Sequence, residues 1–141
     1  MTADEVAALA ASQGPRKNKD KTCLYTGTPP IGSALPLKPH WTNGKYLTME
    51  VWVKPAGQGR ILDKIAIGGS NGFLIDLVGA NQVRTIIGAR ATGQGDKNSA
   101  VTLRQWTHIA LVLNQDSRNV VLYIDGKKAY EMKDLPVQMT H

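Results

Sequence analysis

The stretch Tyr46-Leu-Thr-Met-Glu-Val-Trp-Val53 decides the fold. Leu47, Met49, Val51 and Val53 alternate with Tyr46, Thr48, Glu50 and Trp52. Successive side chains of a strand point to opposite faces, so this period predicts a strand with one face on a core. The rhythm returns downstream. Phe73, Ile75 and Leu77 alternate with Leu74, Asp76 and Val78, and Val83, Thr85 and Ile87 stand opposite Arg84 and Ile86. From Thr107 to Leu113 the chain is apolar at both parities except at His108, the pattern of a strand covered on two sides. Asn114-Gln-Asp-Ser-Arg-Asn119 reads as a polar turn, after which Val120 to Ile124 resumes. Asp125-Gly126 then predicts a tight hairpin, because both central positions of a type I′ turn need positive φ. Lys127 to Glu131 is its partner strand. Many short strands with regular turns predict an all-β antiparallel two-sheet sandwich.

Upstream the pattern changes. Residues Thr2 to Ser12 predict a short helix, opened by a Thr2/Glu5 capping box and stopped by Gly14 and Pro15. Val6, Leu9 and Ala10 form its apolar stripe. Arg16-Lys-Asn-Lys-Asp-Lys21 reads as a basic, solvated linker. Residues 15–45 hold no periodicity, and Pro29, Pro30, Pro36 and Pro39 forbid a long helix or central strand. Short edge pieces are expected at Leu24-Tyr25 and Ala34-Leu35-Pro36-Leu37. The glycine-rich segments Gly68 to Gly72 and Gly88 to Ala100 are expected to be mobile rims, where function often sits.

The whole chain is 141 residues, the size of one domain. No apolar run approaches the ~20 residues of a membrane span, and the acidic start Met1-Thr-Ala-Asp-Glu5 is no secretory signal as it stands. The net charge of +6 fits acidic partners, but no basic motif interleaved with aromatics points to nucleic acid. Cys23 is the single cysteine, so neither an internal disulfide nor a cysteine zinc site is expected.

Residue spacing bears on several chemistries. Gly68-Gly-Ser-Asn-Gly72 matches a nucleophile elbow in letters only, since an elbow needs a helix after Ser70 and a strand follows here. Glycoside hydrolysis needs two carboxylates flanking one bond, about 5 Å apart for retention. Glu50 and Asp76 are each alone on their strands. No glycine loop ends as a P-loop does, and Gly57-Gln-Gly59 and Gly93-Gln-Gly95 lack the third glycine of a dinucleotide fingerprint. His40, His108 and His141 are too isolated for a zinc motif, and His108 reads as a packed strand residue.

Three segments carry a family resemblance: Tyr46 to Val53 with Lys54-Pro55; Gly59-Arg-Ile-Leu-Asp-Lys64 with Gly72-Phe-Leu-Ile-Asp-Leu77; and Gln105-Trp-Thr-His-Ile-Ala-Leu-Val112 leading into Val121-Leu-Tyr-Ile-Asp-Gly-Lys127. Together they resemble laminin-G-like domains of the concanavalin A-like lectin/glucanase superfamily. The resemblance implies a jelly-roll sandwich over residues 22–141, with residues 1–21 as helix and linker. It also implies a further pair of strands and a short helix after the Asp125-Gly126 hairpin. The chain stops before them, yet Thr2-Ala-Asp-Glu-Val-Ala-Ala-Leu9 resembles that helix, placed at the front. Either residues 1–21 are the tail of a preceding unit and the sandwich is incomplete at its C-terminus, or the element order is permuted. An incomplete sandwich would expose an apolar face near Val112, Val121 and Tyr123.

The resemblance further implies a binding fold rather than an enzyme. The expected role is a non-catalytic module for carbohydrate or another extracellular ligand, within a larger secreted bacterial protein beside a carbohydrate-active enzyme. The location implied is extracellular or periplasmic. Flanking domains and glycans are the expected partners, not nucleic acid or membrane. The rival reading is a structural or protein-interaction sandwich with no sugar site. Trp41 and Arg84 are the candidate ligand-binding residues, Trp41 because a loop tryptophan stacks well on sugar rings. Trp52 and Trp106 align with the family's two strand tryptophans and are expected to pack in the core. No cofactor is required, but some relatives bind calcium through oxygens of rim loops, for which Asp63, Asp96 and Asp116 are the candidate donors.

Overall fold

The computed structural model of the chain describes residues 2–12, 45–65, 72–88, 90–92 and 97–135. In chain order these form α1 (Ala3–Ser12), β1 (Tyr46–Val53), β2 (Gly59–Ile65), β3 (Gly72–Val78), β4 (Gln82–Ile87), β5 (Arg90–Thr92), a 3-10 turn (Lys97–Ser99), β6 (Thr107–Asn114), β7 (Asn119–Ile124) and β8 (Lys127–Met132). The strands make two four-stranded antiparallel sheets, ordered β1-β6-β7-β8 and β2-β3-β4-β5. This is the antiparallel two-sheet sandwich with a short N-terminal helix that the alternation predicts. No helix among the described residues is long and apolar enough to cross a membrane.

The inward parities build the core. In the first sheet Met49 pairs with Leu111 and Val51 with Ile109, and Leu111 pairs with Leu122. In the second Phe73 faces Ile87, Ile75 faces Thr85 and Leu77 faces Val83. These side chains meet between the sheets, joined by Val101, Tyr130 and Leu135. Two bulges adjust the fit. One falls between Arg60 and Leu62, so Ile61 and Leu62, though adjacent, both pack against the core. The other falls opposite Leu122 and Tyr123 and brings Ala129 and Tyr130 inward together. An extra residue in one strand shifts its side-chain parity, which produces both results. The buried hydroxyls of Thr85 on β4 and Tyr130 on β8 lie 2.6 Å apart and tie one sheet to the other.

Gly72 opens β3 with φ 128°. A Cβ there would lie 1.8 Å from the Lys64 carbonyl oxygen, so only glycine fits the crossing from β2. The strand that follows, in an antiparallel sheet, is incompatible with a nucleophile elbow at Ser70, which itself lies outside the described residues. The segment 88–100, read from sequence as a loop, contains β5 and the 3-10 turn, and Ala100 bridges to Gln82. The predicted edge pieces at Leu24-Tyr25 and 34–37 and the basic run 16–21 lie outside the described residues.

The helix forms as its first turn dictates. The Thr2 amide donates to Glu5 Oε2 (2.6 Å) and the Glu5 amide to Thr2 Oγ1 (3.2 Å), a reciprocal capping box. Val6 is fully buried against Ala110 and Tyr123, with Val112 and Val121 packed around them. The expected open apolar face is therefore covered in this chain. Its cover is α1, lying on the outer side of the first sheet.

Candidate ligand-binding rim

One end of the sandwich gathers four connections. β1 ends at Val53 opposite Thr107, where β6 begins, and β7 ends at Ile124 opposite Ile109. In the second sheet Gly59 pairs with Leu77 and Val78 with Gln82. The segments around 54–58, 79–81, 98–106 and 125–126 thus share one rim.

That rim is stitched by hydrogen bonds between segments distant in sequence. Gln58 Nε2 donates to the Gly79 carbonyl. The Val101 amide donates to Asn81 (3.0 Å) and the Arg104 amide to Pro55 (2.7 Å). Residues 98–106 therefore span the end of the sandwich from one sheet to the other. Asp125 is held twice: its amide donates to the His108 carbonyl (2.9 Å), and its Oδ1 accepts from the His108 amide (2.8 Å). Asp125 and Gly126 have φ of 49° and 74°, the hairpin turn read from sequence. Asn81 and Arg104 also adopt positive φ, at 61° and 62°. Asparagine and aspartate tolerate this region, whereas arginine there stores strain that the surrounding bonds hold in place.

Asn98, Ile124, Asp125, Lys127 and Lys128 line a cleft of about 330 Å³ on this rim. Ligand pockets run from about 300 to 1,000 Å³ and combine apolar walls with a few polar groups. The cleft sits at the small end of that range. Lys128 Nζ contacts Glu131 Oε2 at 2.7 Å, and Asn119 Nδ2 donates to Glu131 Oε1 at 3.1 Å. These contacts raise the Lys128 ammonium above its ordinary value and hold the Glu131 carboxyl below its own. Lys127 is exposed on the opposite side of the hairpin turn from Ile124. Lys54 and Arg104 add exposed cations to the same end.

Trp106 lies here as well, and it corrects an expectation. It is 43% exposed, not packed in the core. Thr107, one residue on, forms the last registered pair of β6 with β1, so Trp106 stands just beyond the sheet. Trp52 departs from that expectation too: it lies on the outer side of the first sheet, at the parity opposite to Val51 and Val53, rather than in the core between the sheets. Its ring tilts against His108, with centroids 5.2 Å apart. His108 is buried as expected, its Nε2 3.5 Å from Glu50 Oε2. Among the described residues, Trp52 Nε1 and His108 Nδ1 are both buried with no hydrogen-bond partner.

The other sequence-derived candidates fall elsewhere. Arg84 is on the outer side of the second sheet, directly opposite Asp76. Its Nε donates to Asp76 Oδ1 at 2.9 Å and its Nη2 to Oδ2, a two-pronged pair that raises the guanidinium further. Its fork is spent on a protein carboxylate. Asp63 lies within β2, not on a loop; it accepts from Arg60 and from the Ile65 amide (3.0 Å). Asp116 is in the β6–β7 turn at the opposite end, 2.9 Å from Lys45 Nζ. Asp63 and Asp116 thus occupy different sheets and are not gathered at one point. Among the described residues no three His, Cys, Asp or Glu side chains are placed to hold a metal ion. Trp41 and Asp96 lie outside the described residues.

Reading along the chain missed Asn98, Lys127 and Lys128 as a group, because they line one cleft only in the folded chain, and it missed the exposure of Trp106 at the same end. Two local signals pointed to this end: the Asp125-Gly126 hairpin, and the glycine-rich segment Gly88 to Ala100, which contains Asn98. No curated protein matches the chain. Residues 31–139, more than half of it, match a laminin G family described as the concanavalin A-like lectin/glucanases superfamily. By that match, and with the two-sheet sandwich that carries it, the chain belongs to the concanavalin A-like lectin/glucanases superfamily.

Proposed function

We propose that this chain is a non-catalytic module that binds carbohydrate or another extracellular ligand through the rim cleft. The observation that carries the reading is the rim itself: a cleft lined by Asn98, Asp125, Lys127 and Lys128, with Asp125 bonded through the backbone to His108 and the segment after Asn98 bonded to Asn81 and Pro55. A site whose backbone is already ordered loses less freedom on binding. Among the described residues, one carboxylate lines the cleft, Asp125, and its Oδ1 is occupied by the His108 amide. That arrangement suits binding better than paired acid and base chemistry. In this reading the module belongs to a larger secreted protein, works outside the cytoplasm or in the periplasm, and delivers a carbohydrate-active partner to its substrate.

The test is a glycan array with the purified chain, repeated with Asn98→Ala and Lys127→Ala and in the presence of a calcium chelator. Selective glycan binding that weakens in both variants supports the proposal. A silent array with protein ligands captured instead would favour the structural or protein-interaction role. Release of reducing sugar from a bound glycan would overturn the non-catalytic part.

A further inference from the structure

We infer that Trp106 is the stacking platform of this rim, and that it takes a glycan whose pyranose rings carry carboxylate groups. The inference rests on the binding role proposed above and names its ligand class.

Three observations converge. Tyr46 and Trp106 are the large hydrophobic side chains left exposed among the described residues. Tyr46 stands at the opposite end, where β1 starts and pairs with Asn114, beside the Lys45–Asp116 ion pair. Trp106 alone is on the rim that holds the cleft. A half-exposed indole offers a flat apolar face, and the axial C–H groups of a pyranose ring are the common partner of such a face.

Second, the backbone that presents Trp106 is held from both sides. Arg104, two residues before it, donates its amide to Pro55, and the Gln105 amide donates to Thr102 (3.4 Å). His108, two residues after it, exchanges bonds with Asp125 in the hairpin that lines the cleft. A platform fixed in this way keeps its geometry when the ligand is absent.

Third, cations outnumber carboxylates at this end of the sandwich. Lys54, Arg104 and Lys127 are exposed at this end. Asp125 has Oδ1 engaged by an amide, and Glu131 is engaged by Lys128 and Asn119. Cations that share an end of the sandwich with an exposed aromatic face favour a ring that bears negative charge, chiefly by complementarity of potential.

The experiment titrates the full chain with tetragalacturonate, and separately with neutral cellotetraose, followed by tryptophan fluorescence and calorimetry. The expected result is that tetragalacturonate binds at least about tenfold more tightly than cellotetraose, and less tightly as salt rises. Trp106→Ala should weaken binding by about tenfold or more, whereas Trp106→Tyr, which keeps a ring, should stay within about threefold. Tyr46→Ala should bind as the parent does. Equal binding of both sugars would overturn the carboxylate part. Parent-like affinity in Trp106→Ala, or no binding of either sugar by the parent, would overturn the platform. A ligand found on the array that is lost in Lys127→Ala but kept in Trp106→Ala would remove Trp106 and leave the rim in place. A ligand indifferent to every rim change would remove both.

Discussion

The two sheets are alike inside and different outside. Both send alternate aliphatic side chains into one core. On the outer side of the first sheet, Ala110 and Tyr123 are buried beneath Val6 of α1. The outer side of the second carries two ion pairs, Arg60–Asp63 and Arg84–Asp76, beside the apolar pair Leu74 and Ile86. The difference teaches how each kind of surface is closed. An apolar patch is indifferent to direction, so a segment far away in sequence can cover it. A carboxylate and a guanidinium on facing strands need only the right register, and Asp76 and Arg84 are direct partners in theirs. The contrast also bears on function. The cation that looked available for ligand in the sequence, Arg84, is occupied, whereas Lys54, Arg104 and Lys127 stand exposed on the rim.

Breaking the polar side should have the largest effect. Arg84→Met leaves the Asp76 carboxylate, only 9% exposed, without its partner. Removing one member of a buried pair costs about 3–5 kcal/mol; Arg84 is partly solvated, so about 2–3 kcal/mol is expected, read from urea denaturation. Arg84→Met combined with Asp76→Leu should recover most of that loss, since an apolar pair of similar size often replaces a buried ion pair well. Failure of the double variant to recover would mean that the pair is not the source of the cost.

Breaking the apolar side should cost less. Val6→Ala removes two methyl groups from a fully buried side chain, an expected loss of about 1–2 kcal/mol. It should also raise amide exchange in α1 while leaving β3 and β4 protected. Thr2→Ala removes one half of the capping box, for about 0.5–1 kcal/mol, seen in the same exchange experiment as faster opening of α1 alone. If α1 exchanged no faster in either variant, its place on the first sheet would not depend on these contacts.

The smallest effect concerns pH. Lys128 and Asn119 hold the Glu131 carboxyl below its ordinary value of 4.5. A depressed folded-state value means a stabilising contribution that is complete above the ordinary value. It is lost as pH falls below 4.5 and through the lowered folded value. Lys128→Met should therefore narrow the gap between melting temperatures at neutral and acidic pH. An unchanged gap would show that this exposed pair contributes nothing measurable, as many surface pairs do.

The strands, the hairpin and the helix cap were legible along the chain, because each depends on near neighbours. Alternation at Leu47, Met49, Val51 and Val53 needs no distant partner to be read, nor does the positive φ demanded by Asp125-Gly126, nor the reach of Glu5 back to Thr2. The family was legible there too, since the three motif segments lie on β1, β2 with β3, and β6 with β7. Which surfaces are left for a ligand emerges from packing between distant segments. Trp52 and Trp106 look equivalent in sequence, yet one leans on His108 and the other stands past the last pair of its strand. Asp76 and Arg84 look like two separate charges until antiparallel pairing brings them face to face. Exposure is a property of what packs from elsewhere, and local pattern carries no information about a partner many residues away.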